Sequence, residues 1–264
     1  MTTVLETKDL RREFGMLVAN DDVTVSIDDD EITSIIGPNG AGKTTFYTML
    51  AGQLEPTSGS IRLRPREGAD IETDDDGLVE ITGKEPFVIN RLGLARAYQI
   101  NNVFDGLTVR ENIRIARISR DGRTNDLRTV AAEDDELNEG VERIVELARL
   151  GEMADQTCEN LSHGDKRKVE IALALATDPS VVLLDEPTAG MNATETRKMV
   201  DLVRALDEET DTTFVITEHD MEVVLGISDR ILVLDGGALI AEGTPEEVMA
   251  NERVREAYLG SEAQ

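Results

Sequence analysis

The sequence predicts an α/β fold with a mostly parallel sheet, on three observations. The apolar run "EITSIIG" at 31–37 leads straight into a glycine-rich loop and then into "FYTMLAG", which continues as a helix. Two further apolar runs, "VVLL" at 181–184 and "TTFVIT" at 212–217, each deliver polar residues at their ends: Asp185 with Glu186, and Glu218 with His219. Short, continuously apolar strands are buried on both faces in parallel sheets, and open α/β folds bind their ligands at the carboxyl ends of such strands.

Taken in chain order, "VTVSI" at 23–27 alternates as a strand and "EITSIIG" follows as the next one. The loop after it contains Gly37, Pro38, Asn39, Gly40, Ala41, Gly42, Lys43, Thr44 and Thr45. Gly37 to Thr44 satisfies G-x-x-x-x-G-K-[ST] between a strand and a helix, the context this phosphate-loop motif requires. Its glycines let successive N–H groups converge on a phosphate, the helix N-terminus adds positive potential, and Lys43 reaches the terminal phosphates. Thr44 is placed to ligate Mg²⁺. The fold class is therefore that of a P-loop NTPase core.

Residues 64–86 read as an acidic hairpin or loop, and 119–140 as a polar insertion before the amphipathic "VERIVELARLGEMAD" at 141–155. Ser162, followed three residues later by Asp165, resembles a capping box that opens a helix running toward Asp178 and Pro179. Gly164 frees the backbone there for close approach, and a helix N-terminus bearing a serine hydroxyl can meet an anion. At the next strand end Asp185 can hold Mg²⁺, directly or through water, while Glu186 is placed to orient or deprotonate an attacking water. His219, at the end of the following strand, can sense a terminal phosphate by hydrogen bonding. A second capping box, Thr244 to Glu247, opens a helical tail.

The composition bounds the function. A chain of 264 residues with 40% hydrophobic content can bury a sizeable core and reads as a single domain over 1–264. The lone Cys158 has no internal disulfide partner and reads as a buried thiol in a reducing, cytoplasmic compartment. No apolar run approaches the ~20 residues that cross a bilayer, and no signal peptide is expected, so a membrane role would come through a partner. With 27 basic against 54 acidic residues, the formal charge of −27 repels nucleic acid and excludes it as a partner. The acid is spread through 28–30, 74–76 and 133–136, and only six of the basic residues are lysines, the other 21 being arginines. A solvated surface suited to high salt is the expectation.

"GPNGAGKTT", "LSHGD", "LLDEPTAG" and "TEHD", in that order, resemble the Walker A, signature, Walker B and switch-histidine motifs of ABC-type ATPases, and the resemblance covers nearly the whole chain. It implies ATP and Mg²⁺ as ligands, with Glu186 and His219 in catalytic roles. Gln99 matches the Q-loop glutamine, with catalytic and metal-binding roles implied, and Phe14 matches the aromatic that stacks on adenine. The resemblance also implies a head-to-tail pair of ATPase subunits, a homodimer or a pair of paralogues, in which Ser162 and Gly164 serve the partner's phosphate. Within the family, "AGMN" at 189–192 and the ending "SDRILVLDGGALIAEGTPEEVMANERVREAYLG" resemble the ATPase subunits of branched-chain amino acid and urea importers. The alternatives are a lipid or envelope exporter ATPase and a non-transport ABC ATPase. Two departures from the common pattern lie at the implied dimer interface: His163 and Asp165 in the signature, and Asn192 in place of an aspartate.

Combined with this resemblance, the sequence divides into a core with an antiparallel β-subdomain over 1–88 and 166–264, and an inserted helical subdomain over 89–165. The implied partners are transmembrane permease subunits, met around Gln99 to Asn112, and a solute-binding protein; Phe104 reads first as a core residue and otherwise, with Leu107, as facing the permease. The implied place is the inner face of the cell membrane.

Overall fold

A computed structural model describes residues 1–69, 71–97, 103–120 and 134–261. The chain opens with β1 (Thr3–Phe14), β2 (Leu17–Asp28), β3 (Thr33–Ile36), α1 (Lys43–Leu50), β4 (Ser58–Leu63) and β5 (Val79–Glu80). It continues with α2 (Pro86–Leu92), β6 (Leu94–Ala97), α3 (Val109–Arg120), α4 (Asp135–Leu147) and α5 (His163–Leu175). Next come β7 (Val181–Asp185), α6 (Ala193–Glu209), β8 (Thr213–Thr217) and α7 (Met221–Ile227). The chain closes with β9 (Arg230–Asp235), β10 (Ala238–Gly243), α8 (Pro245–Ala250) and α9 (Glu252–Ser261).

Two sheets result. One is antiparallel in the order β2-β1-β4-β5, and the other runs β10-β9-β3-β8-β7-β6 with every pairing parallel except that of the edge strand β10. The apolar run at 181–184 is explained by its two covers. Val182 and Leu184 pack into a core shared with α4, α5 and α6. Val181 and Leu183 face a second core built from α1 and the β1–β2 hairpin. Successive side chains of a strand point to opposite faces, so a strand covered on both sides must be apolar throughout.

The helical part shares the first of these cores: Val141, Ile144 and Val145 of α4 lie in it with Ala95, Ala97 and the buried Cys158. Burial pushes the Cys158 thiol up, away from the reactive thiolate. The boundary expected at residue 89 does not mark the end of the core, because Leu94–Ala97 return to the parallel sheet as β6, paired with Val181–Leu184. The stretch "LARA" is short and carries no alternation, so it gives little strand signal. The boundary expected at 165 falls inside α5. Among the described residues no helix is long and apolar enough to cross a membrane.

Candidate active site

The loop between β3 and α1 takes its shape from glycines. Gly37 (φ 155°) and Gly42 (φ 98°) occupy backbone conformations that favour glycine. A Cβ on Gly37 would lie 2.1 Å from the Leu234 carbonyl oxygen, and one on Gly42 would lie 2.3 Å from that of Ala19. The loop is thus pressed between β9 and the β1–β2 hairpin, with no room for a side chain at either place. Lys43 opens α1 and folds back, donating to the Gly37 and Pro38 carbonyls at 2.6 and 3.1 Å. Burial lowers its pKa, while the nearby Glu186 and Asp185 carboxylates pull the other way. The loop lysine and the two acids therefore share one electrostatic site. Thr44, one residue on, is exposed.

The strand ends supply the rest. Asp185 accepts from Thr217 Oγ1 at 2.6 Å and from Arg96 Nη2 at 2.7 Å. Glu186 sits at φ 45°, where a non-glycine residue is uncommon. Its N–H donates to the Thr217 carbonyl at 3.0 Å, and its carboxylate lies 3.6 Å from His219 Nδ1. His219 is 64% exposed, open to a ligand from outside. Glu218, expected beside it at the rim, turns inward instead: it is 1% exposed and accepts from the Thr188 N–H and hydroxyl at 3.0 and 2.6 Å. Sequence reasoning therefore placed the segment correctly while missing that one of its two polar residues is a buried clamp.

Sequence reasoning also missed Tyr47. It is fully buried in α1, and its hydroxyl donates to backbone carbonyls of β8 and β7, at 2.6 Å to Val215 and 3.2 Å to Leu184. It anchors the helix that follows the phosphate loop onto the two strands that end in the acids. An aromatic in an apolar helix face announces burial but not this hydroxyl's targets.

At the other candidate site, Ser162 caps α5. Its Oγ accepts from the Asp165 N–H at 3.1 Å and donates to Asp165 Oδ2 at 2.7 Å. Against the upward push of burial, Lys168 and Ser162 hold the Asp165 carboxyl below its usual range. A Cβ on Gly164 would meet only the Met191 methyl, at 3.9 Å, so the backbone there is open to approach. Among the described residues no hydrogen bond or ion pair joins Ser162 or Gly164 to the loop at 37–45. Asn192 has a local task, capping α6 in a capping box closed by Glu195.

Phe14 is 46% exposed at the end of β1, with the Arg12 guanidinium 4.6 Å over its ring. Gln99 lies outside the described residues. The donor set fits Mg²⁺: Thr44 and Asp185 offer hard oxygens, and each Asp185 oxygen keeps a lone pair beyond its one bond to Arg96 or Thr217. Among the described residues no three His, Cys, Asp or Glu side chains gather into a metal cage.

Comparison with known proteins bears on the arrangement. The family described as "ABC transporter" matches residues 20–189, and "Branched-chain amino acid ATP-binding cassette transporter" matches 238–264. The chain is similar to the high-affinity branched-chain amino acid transport ATP-binding protein LivG of Salmonella typhimurium, at 38% identity over 97% of this chain and 98% of that one. It is similar to BraF of Pseudomonas aeruginosa, described in the same words, at 37% over the same shares. Among solved structures it resembles an ATP-binding cassette of an ABC transporter in its ADP conformation, with a TM-score of 0.80 and 29% identity over 98% of this chain and all of that one.

Proposed function

Since the chain belongs to the ABC transporter family, we propose that it is the ATP-hydrolysing subunit of an importer for branched-chain amino acids. The observation that carries this reading is the glycine loop, closed to side chains at Gly37 and Gly42, which leads into Lys43 at the start of α1, with Asp185 and Glu186 at the end of β7. The names of LivG and BraF, and the match at 238–264, support the solute class.

In this reading the loop amides and Lys43 hold the ATP phosphates, and Phe14 stacks on the adenine. Thr44, Asp185 and Gln99 would hold Mg²⁺, which would supply neutralisation of phosphate charge. Glu186 orients the attacking water and accepts its proton, while His219, beside that carboxylate, donates toward the terminal phosphate. Two such chains, or this chain and a paralogue, meet head to tail, so that Ser162 and Gly164 complete the partner's site. Permease subunits at the membrane's inner face receive the motion, and a solute-binding protein supplies the solute.

Uptake of labelled leucine by cells carrying Lys43→Ala in place of the native chain tests the solute class. Loss of leucine uptake, with other solutes unaffected, is expected; unchanged leucine uptake overturns it. Mixing Lys43→Ala with Ser162→Arg chains tests the shared site. A head-to-tail pair then contains one site with both lesions and one with none, so hydrolysis returns in part. If Ser162 serves only its own chain, every site keeps a lesion and nothing returns.

A further inference from the structure

We propose that Arg167 is a positioning residue that ties α5, the helix capped by Ser162, to the backbone of Glu186, so that what docks on Ser162 and Gly164 is felt at the hydrolytic carboxylate of the same chain. The inference rests on the shared-site reading. In a shared site Ser162 and Gly164 meet the partner's nucleotide while Glu186 acts on its own. Arg167 then joins the two sites of a dimer, and turnover at one depends on occupancy of the other.

The contacts are specific. Arg167 is 6% exposed and stands on the second turn of α5. Its Nη1 pairs with Glu170 Oε2 at 2.7 Å, within the same helix and equally buried. Its Nη2 donates to the Glu186 carbonyl oxygen at 3.3 Å. Glu186 is gripped through both of its backbone groups. The N–H side is fixed to β8 through the Thr217 carbonyl and hydroxyl, at 3.0 and 3.2 Å. The carbonyl side is held by Arg167 and by the Ala189 N–H at 3.1 Å. A shift of α5 therefore pulls on one side only of a residue already in a sparsely populated conformation at φ 45°. The planar guanidinium suits this task because its fork fixes two partners at once. A buried ion pair is a poor device for stability alone, since apolar residues of similar volume often serve as well.

The test uses the full chain with Arg167→Met/Glu170→Leu, which removes the link without leaving an unpaired charge, and Arg167→Lys as the conservative variant. The measurements are hydrolysis against ATP concentration, ATP binding and the thermal midpoint. For the double variant we expect ATP binding and the midpoint near wild type, kcat down by about 10- to 100-fold as expected for a misplaced reacting group, and a Hill coefficient falling from above 1 to about 1. Arg167→Lys should recover part of kcat and of the cooperativity. Unchanged kcat and Hill coefficient in the double variant, or a wild type with no cooperativity, overturns the inference. Loss of folding in both variants makes the pair structural and also overturns it. Failure of the Lys43→Ala and Ser162→Arg mixture to regain hydrolysis overturns the shared site beneath it; rescue there with an unaffected double variant overturns the role of Arg167 alone.

Discussion

Arg96 closes on Asp185 across neighbouring strands, its Nη2 2.7 Å from Oδ2, with the two side chains only 10% and 14% exposed. Its Nη1 donates to Gln53 Oε1 at 2.7 Å, so one guanidinium joins β6, β7 and the chain leaving α1. Removing one partner of a pair this far withdrawn from solvent leaves the other charge poorly compensated. Arg96→Met should lower unfolding stability by about 3 kcal/mol in a urea titration, in line with truncated buried pairs. A loss under about 1 kcal/mol would place the pair with ordinary surface ion pairs.

Two substitutions at the phosphate site should separate binding from chemistry. Glu186→Gln should keep ATP binding while phosphate release falls by ~10²-fold or more, the contribution of a positioned general base. Lys43→Ala should weaken nucleotide binding itself by about 10- to 100-fold, since hydrogen bonds to charged groups contribute roughly 1.5–3 kcal/mol. Titration of a fluorescent ATP analogue alongside phosphate release reads both; the Glu186 assignment fails if turnover is unchanged.

Asp207 makes stability depend on pH. Burial, with Asp229, Asp30 and Glu208 adding like charge, raises its pKa to about 6. A carboxyl that binds its proton more tightly when folded stabilises the fold below its unfolded pKa of about 3.9. That stability is lost as pH rises through about 6. Asp207→Asn should therefore melt with wild type near pH 4 and above it at pH 8, by roughly 2–4 °C for each ~1 kcal/mol. Equal melting temperatures at pH 8 would show that the carboxylate is accommodated without cost.

The net charge of −27 is the basis of a salt prediction. Self-repulsion destabilises a compact state and is screened within about 3 Å at 1 M salt. The melting temperature should rise as KCl is increased toward molar concentrations, and a fall would remove high salt as the reason for the acid-rich surface.

What the sequence revealed and what it hid follow from contact range. The loop at 37–45, the strand read at 181–184 and the cap at Ser162 are local patterns, and the structure has each there, the strand running one residue further to Asp185. Tyr47, by contrast, bonds to residues 137 and 168 positions away, and Arg96 to one 89 positions away. Arg167 reaches Glu186 across 19 residues, and Thr188 reaches Glu218 across 30. None of these partners is written in local spacing, and each becomes visible only once the parallel sheet aligns its strand ends. β6 was hidden for a different reason, since it is only four residues long and is defined by its neighbour rather than by its own periodicity.

Asn112, 1% exposed, acts as a surrogate strand for the turn before α3: its Oδ1 accepts from the Phe104 N–H at 2.8 Å, and its amide nitrogen donates to the Phe104 and Thr108 carbonyls at 3.1 and 2.9 Å. Phe104 itself is 57% exposed. The side chain is thus more exposed than covered, on a backbone whose own polar groups are already committed. A partner that grips it would find a stiff handle, with little chain entropy left to lose on contact. Because Asn112 belongs to α3, its bonds tie the Phe104 backbone to that helix.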